Sequence, residues 1–177
     1  MALQLEIRPL QRGDDRGRFT CGQEDLDRFF RHYAGQNQFN LHLAVTYVAI
    51  LEGFLAGFAT VSVSGLERSR VPQPSLRRRL PAYPLPILRL ARLGVDTRAQ
   101  GRGVGTALLR HVLHLACQQS DSLGCVGVVT DAKPEATIFY EAFGFVPLEG
   151  VSEGTLHGDP TPMFLPIRTI LRALDSR

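Results

Sequence analysis

The sequence predicts an α/β (α+β) fold in which helices flank a central sheet of mixed strand direction. Three observations carry that reading. An apolar strand-like run, Ile87 to Val95, passes through the glycine-rich turn Gln100-Gly101-Arg102-Gly103-Val104-Gly105-Thr106 into a helix-like run, Val104 to Cys117. Two runs rich in β-branched and aromatic residues, Leu43 to Leu51 and Phe54 to Ser64, are joined by Glu52-Gly53 and read as a hairpin. Two more strand-like runs, Phe145 to Leu148 and Thr161 to Ile167, close the chain after a second short helix.

The elements follow in order. Leu3 to Pro9 alternates weakly and reads as an opening strand. From Gln23 to Tyr33, Leu26, Phe29, Phe30 and Tyr33 recur at helical spacing, which predicts a helix with those four side chains turned inward. After the hairpin, Pro72 to Pro86 holds five prolines and the triplet Arg77-Arg78-Arg79, so it is a long loop or at most a broken helix. Ile87 to Asp96 is the next strand, and Gly94 inside it marks a bulge or a close backbone approach. At about 100° per residue, Val104, Leu108, Leu109, Val112, Leu113, Leu115 and Ala116 fall on one half-circle of a helix running to Gln119. Arg110, His111, His114 and Gln118 fall on the other half, so both histidines are expected to face solvent. Cys125 to Thr130 is an apolar strand, Pro134 suits the first turn of a helix ending near Phe143-Gly144, and Thr169 to Arg177 reads as a charged tail that frays.

With 177 residues, 44% of them hydrophobic and 21% charged, the chain is expected to form one domain over residues 1–177 with a substantial core. Charges in Met1 to Arg8 interrupt any signal-peptide core, and Glu52-Gly53 divides the apolar stretch Leu41 to Leu66 into halves too short to span a bilayer. Cys21, Cys117 and Cys125 make neither a disulfide framework nor a metal spacing, and with the missing leader they predict a cytoplasmic protein away from membranes. His111 and His114 have a metal-compatible i,i+3 spacing but no carboxylate or thiol nearby completes a set, so no metal is expected. Of the 20 basic residues only Lys133 is lysine. Arg68, Arg70, Arg77, Arg78, Arg79, Arg89 and Arg92 crowd into 25 residues beside a single acid, Glu67.

The glycine turn carries the chemistry. Glycines at a strand-to-helix turn let main-chain N–H groups converge without Cβ obstruction, and the helix start adds a partial positive charge. The result is an anion cradle, most simply for phosphate. The spacing Q-x-x-G-x-G is not the dinucleotide fingerprint, and no Lys-Ser/Thr makes it a nucleoside triphosphate loop.

This turn, preceded by Leu90 to Asp96 and followed about 35 residues later by Phe139-Tyr140-Glu141-Ala142-Phe143-Gly144-Phe145, resembles the GNAT acyltransferase superfamily. Two further segments, Phe19 to Phe29 and Arg79 to Pro86, look like the tRNA-acetylating toxins of bacterial toxin–antitoxin pairs. The resemblance implies a GNAT fold and acetyl transfer from acetyl-CoA to a primary amine, here the α-amino group of aminoacyl-tRNA. It also implies a homodimer silenced by a small ribbon-helix-helix antitoxin. By motif, the main chain of Gln100, Gly101, Arg102, Gly103, Val104, Gly105 and Thr106 would hold the CoA pyrophosphate, and the edge of Leu93 to Val95 would pair with the pantetheine arm like an added strand. Gln100 stands where many of these sequences carry Arg, which leaves cradle charge to Arg102 and the backbone.

By the same motif Tyr140 is the expected catalytic residue, a general acid for the leaving thiolate. No evident general base accompanies it, since Asp96 reads equally as a structural strand-end residue. An α-amine of pKa about 7.7–8.0 costs roughly 1 kcal/mol to deprotonate at pH 7, against roughly 4.6 for lysine, so the missing base favours an α-amine acceptor. Glu24, Asp27 or Glu141 brought near would weaken that argument. Arg77, Arg78, Arg79, Arg89 and Arg92 are candidate contacts to the RNA backbone, because a guanidinium matches phosphate with two parallel donors. Tyr83, among the prolines, stacks on a base or anchors the loop. A small-molecule amine or a protein N-terminus as acceptor, and a non-catalytic acyl-CoA-binding module, are the competing readings.

Overall fold

The computed structural model describes residues 4–150 and 159–176. Seven strands form a sheet in the order β1-β2-β3-β4-β5-β7-β6. They are β1 (Leu5–Pro9), β2 (Val45–Leu51), β3 (Phe54–Leu66), β4 (Leu85–Val95), β5 (Gly127–Ala132), β6 (Val146–Pro147) and β7 (Thr161–Pro166). The helices are α1 (Glu24–Arg28), α2 (Pro74–Arg77), α3 (Val104–Ser122), α4 (Thr137–Glu141) and α5 (Ile167–Asp175). The pairs β1–β2, β2–β3, β5–β7 and β6–β7 are antiparallel. The described residues divide into two compact units, 4–62 with 90–114 and 63–89 with 115–176.

In the first unit the expected hairpin forms, closing on the pair Leu51 and Phe54. Its two-residue turn puts both Glu52 (φ 51°) and Gly53 (φ 82°) in the left-handed region, as the twist of a tight hairpin demands. The core is aromatic. Phe58 of β3 stacks on Phe30 at 4.4 Å between ring centroids and meets Phe19 edge-on at 5.5 Å. Leu26, Phe29 and Phe30 face inward as their spacing requires. Beyond Arg28 the helix continues through wide, π-type turns at Phe29–Tyr33 and Gln36–Asn40. The Ala34 N–H bonds the Phe29 carbonyl five residues back. The extra residue per turn rotates the chain, so Ala34 takes the buried place expected for Tyr33, which is 49% exposed.

On the other face of β3, α3 lies close because Gly57 has no side chain. A Cβ there would meet Val104 and Leu108 at 2.9 Å and the Gly94 carbonyl at 3.1 Å. Gly94 is the close approach its sequence context suggested: a Cβ would stand 2.9 Å from the Phe58 ring. Val104, Leu108, Leu109, Val112 and Ala116 are buried as the helical angle predicts. His111 departs from the expectation. It is half-buried, its ring lies 4.5 Å from that of Tyr47, and its buried Nε2 has no hydrogen-bond partner among the described residues. Burial, with a smaller push from His114, lowers its pKa, so it is held neutral. His114 is exposed as expected.

The second unit buries Leu66, Val71, Leu85, Ile87, Val129, Leu148 and Phe164 together. The strands expected at Cys125 to Thr130 and Phe145 to Leu148 form over Gly127–Ala132 and Val146–Pro147. The expected fraying tail is instead α5, with Ile170 only 3% exposed. Ile167, Ile170, Leu171 and Leu174 fall at i, i+3, i+4 and i+7, the stripe of an amphipathic helix. Arg177 lies outside the described residues. Among them, no helix is long and apolar enough to cross a membrane.

Gly57→Ala is expected to cost about 1–3 kcal/mol through overpacking. Urea unfolding should show a lower midpoint at an unchanged m-value, and an unshifted midpoint contradicts the close approach of α3.

Candidate functional site

The glycine turn is built on a strand end that is tightly determined. The Asp96 side chain is fully buried at the end of β4. It accepts hydrogen bonds from the Arg98 N–H at 2.9 Å, from Arg98 Nε at 2.8 Å and Nη2 at 3.0 Å, and from the Thr20 N–H at 3.2 Å. Burial alone would raise its pKa, but these donors outweigh it and hold the carboxyl below the usual range. Asp96 is therefore a structural strand-end residue. It caps the short turn Thr97–Ala99 that leads into the cradle.

Gln100 supplies the second brace. Its side-chain amide donates to the carbonyls of Cys21 and Val95, both at 3.1 Å. The Thr97 N–H bonds the Thr20 carbonyl at 2.9 Å. The strap Thr20-Cys21-Gly22 thus runs beside the turn, joined to it by three separate bonds. The strap is fixed in turn by Asp27 of α1, whose buried carboxylate accepts from Thr20 Oγ1 at 2.9 Å and the Cys21 N–H at 2.7 Å.

Between these braces and α3, the chain turns left-handed at Gly101 (φ 75°) and Gly103 (φ 83°). A side chain at either would be strained by its backbone alone. A Cβ at either would meet nothing within 4 Å, so the turn faces open space. The first helical bond of α3 runs from the Ala107 N–H to the Gly103 carbonyl at 3.0 Å. The N–H groups of Val104, Gly105 and Thr106 precede that ring, and the helix dipole points its positive end at the same space. Gly101, Arg102 and Gly103 are exposed, and Leu93 and Val95 are half-buried. The geometry fits a diphosphate held by main-chain donors. Arg102 adds less charge than its sequence position suggested, because its guanidinium pairs with Glu52 of the hairpin turn at 2.8 Å.

Tyr140 belongs to the second unit. It sits on α4 and is 6% exposed. Its ring meets those of Phe139 and Phe145 edge-on at 5.1 and 5.4 Å. Burial pushes the phenol pKa up, and a hydrogen bond with the Thr130 side chain opposes that in part. The phenol is accordingly protonated throughout the neutral range. Phe139 and Phe143, at i and i+4, make a further edge-on ring pair at 5.5 Å.

The arginines divide by environment. Arg77 donates to the Val71 carbonyl at 2.7 Å, and Arg89 pairs with Asp131 at 3.3 Å. Arg78 and Arg79 are exposed, and their guanidinium groups have no hydrogen bond or ion pair among the described residues. In the first unit, Arg92 lies over the Phe29 ring at 3.9 Å. Of the carboxylates considered as bases, Asp27 is committed to the strap and Glu24 to an ion pair with Arg28 at 2.9 Å, while Glu141 is exposed on α4. The roles of Thr20, Cys21, Glu52 and Thr130 have no local sequence signal, since each acts on a partner distant in the chain.

Asp96→Asn is expected to destabilise the protein by about 1.5–3 kcal/mol at pH 7, the worth of hydrogen bonds to a charged group. A lowered folded-state pKa gives stability that is complete above the unfolded value, near 3.8, and is lost as pH falls below it. Urea melts across that range should show the wild type and the Asn variant converging in acid; a constant gap contradicts the role of the ionised carboxylate.

Residues 42–147 match the family model for an acetyltransferase (GNAT) domain. A relative from Mycobacterium tuberculosis, a tRNA-acetylating toxin, is 32% identical over 139 residues, which are 78% of this chain and 82% of that protein. Among solved structures, AtaT complexed with acetyl-methionyl-tRNAfMet is similar at a TM-score of 0.83 and 25% identity, over 97% of this chain and 99% of the other. A tyrosine-to-phenylalanine mutant of the AtaT toxin, bound to the C-terminus of the antitoxin AtaR, is similar at a TM-score of 0.80 and 25% identity, over 98% and 99%. The strand, braced glycine turn and helix lie within the matched span, and the chain belongs to the GNAT family of acetyltransferases.

Proposed function

We propose that the protein transfers the acetyl group of acetyl-CoA to the α-amino group of aminoacyl-tRNA and thereby blocks translation. The observation that carries this reading is the open, left-handed turn at Gly101 and Gly103 leading into α3. The likeness to a tRNA-acetylating toxin and to AtaT in complex with an acetylated aminoacyl-tRNA supports the choice of acceptor.

Each residue has a distinct role in this reading. The main-chain N–H groups from Gln100 to Thr106 donate to the diphosphate oxygens, and the chain from Leu93 to Val95 offers its edge to the pantetheine amides. Acetyl-CoA, when bound, supplies an activated acetyl thioester. The amine nitrogen bonds to the acetyl carbon, the carbon–sulfur bond breaks with its electron pair on sulfur, and the Tyr140 hydroxyl gives that sulfur its proton. The attacking ammonium has lost one proton to solvent beforehand. A second leaves the nitrogen after attack and restores the phenol through solvent. A free α-amine fraction of useful size at pH 7 makes a dedicated base unnecessary.

Arg77, Arg78, Arg79, Arg89 and Arg92 are assigned to the phosphates of the acceptor RNA. The chain works as one acetyltransferase domain over residues 1–177, as a homodimer in the cytoplasm. A ribbon-helix-helix antitoxin holds it inactive, in keeping with the antitoxin-bound relative.

Mass spectrometry of charged tRNA incubated with the protein and acetyl-CoA is expected to show one added acetyl on the aminoacyl group. Acetylation confined to free small amines would contradict the acceptor. Tyr140→Phe should lower kcat by about 10²-fold or more while leaving the KM for acetyl-CoA nearly unchanged. Because burial raises the Tyr140 pKa above its ordinary value of 10, the wild-type rate should fall only in alkali beyond that value, and the Phe variant should lack this limb. Equal kcat in the two proteins contradicts the general-acid role.

A further inference from the structure

The loop between β3 and β4 is not slack. Its Arg77, Arg78, Arg79 and Leu80 N–H groups bond the carbonyls of Gln73, Pro74, Leu76 and Arg77 at 2.9–3.3 Å. Leu76 and Leu80 pack on the core of the second unit. Two arginines of the cluster are spent inside the loop: Arg77 bonds the Val71 carbonyl at 2.7 Å, and Arg68 bonds the Leu80 carbonyl at 3.1 Å. Pro84 rests against Gly65 of β3, where an added Cβ would be 3.4 Å away. A short framework, apolar side inward, therefore presents what remains on the outside.

Arg70 is half-buried, and what remains exposed is Arg78, Arg79 and Tyr83. The guanidiniums of both arginines are unpartnered among the described residues, and Tyr83 is 63% exposed between the exposed residues Pro81, Ala82 and Pro84. Tyr83 is thus no anchor for the loop. The exposed ring offers an aromatic face on a braced loop, a flat surface on which another ring can stack. Prolines on either side restrict the backbone that carries it, so less entropy is lost when the ring is covered.

We propose that Arg78, Arg79 and Tyr83 form a platform for unpaired RNA nucleotides, with the ring stacking on a base and the two guanidiniums on adjacent phosphates. An aromatic face four and five residues along one loop from two free cations is the combination that suits single-stranded nucleic acid, because every base offers a π-face and every step a phosphate. A duplex, its bases already stacked, would use the arginines and leave the tyrosine idle. The platform rests on the acceptor assignment above: an aminoacyl-tRNA carries its amino acid on an unpaired 3′ end. It narrows the five arginines assigned above to Arg78 and Arg79, the two that are exposed with unpartnered guanidiniums among the described residues.

The test is fluorescence anisotropy with a short single-stranded oligoribonucleotide and a blunt RNA duplex as probes. Tyr83→Ala should weaken binding of the single strand by about tenfold, leave its salt slope unchanged, and leave duplex binding unchanged. Tyr83→Phe should bind the single strand as the wild type does, which a loss of loop folding would not allow. Arg78→Ala/Arg79→Ala should weaken both probes and make the single-strand salt slope shallower by about 1.4, or about 0.7 per phosphate. Unchanged single-strand binding by Tyr83→Ala, or an equal loss for both probes, overturns the platform. The acetylation assay on charged tRNA separates the two ideas. A wild type that leaves charged tRNA unacetylated sinks the acceptor assignment even if Tyr83→Ala binds the single strand poorly. A wild type that acetylates it, alongside a Tyr83→Ala variant with full single-strand affinity, sinks only the platform.

Discussion

A turn that must run left-handed twice within three residues has to be held from both sides, and here a buried carboxylate and an amide do the holding. Asp96 closes the end of β4, and Gln100 ties the first residue of the turn back to Val95 and across to Cys21. Neither side chain points into the space where an anion would sit. In the function proposed above, they leave the main-chain donors of the turn and of α3 to an incoming diphosphate, which would meet donors already in place. A pre-set donor array loses little entropy on binding, which is the physical advantage of building the cradle from backbone.

An amide at Gln100 serves two carbonyls and carries no charge. Arg102, the cation of the turn, is balanced by Glu52 in a strained left-handed hairpin position. The cradle is therefore close to electrically neutral in its side chains and depends on N–H groups and the dipole of α3. Arginine is used structurally elsewhere as well: Arg31 donates to the Phe19 carbonyl, Arg77 to Val71, and Arg8 forms a two-bond pair with Asp14 at 2.8 and 2.9 Å. A count of arginines along the chain overstates the cationic surface available to a partner.

Much of the fold was legible because periodicity is local. The hairpin, the apolar stripe of α3 from Val104 to Ala116 and the glycine turn each follow from residues within a few positions of one another. What escaped depends on contacts across the chain or on a change of period. The wide turns after Arg28 moved Tyr33 outward because their pitch is not 3.6 residues. His111 was hidden by Tyr47, a strand residue that no helical wheel includes. α5 was read as a tail although its stripe of Ile167, Ile170, Leu171 and Leu174 was present in the sequence. At the site, the glycines could be read directly, but the braces could not: Thr20 lies 76 residues from Asp96, and Cys21 lies 79 from Gln100. Long-range hydrogen bonds of that kind leave no mark on the local pattern.

The central claim is that main-chain donors of this braced turn grip the diphosphate of coenzyme A. Amide nitrogen–proton NMR spectra during titration with coenzyme A test it most directly. The account predicts saturable shifts centred on the amides of Gly101, Gly103, Val104, Gly105 and Thr106, abolished by replacing the diphosphate-bearing ligand with pantetheine alone. Saturable binding that leaves those amides unmoved would contradict it.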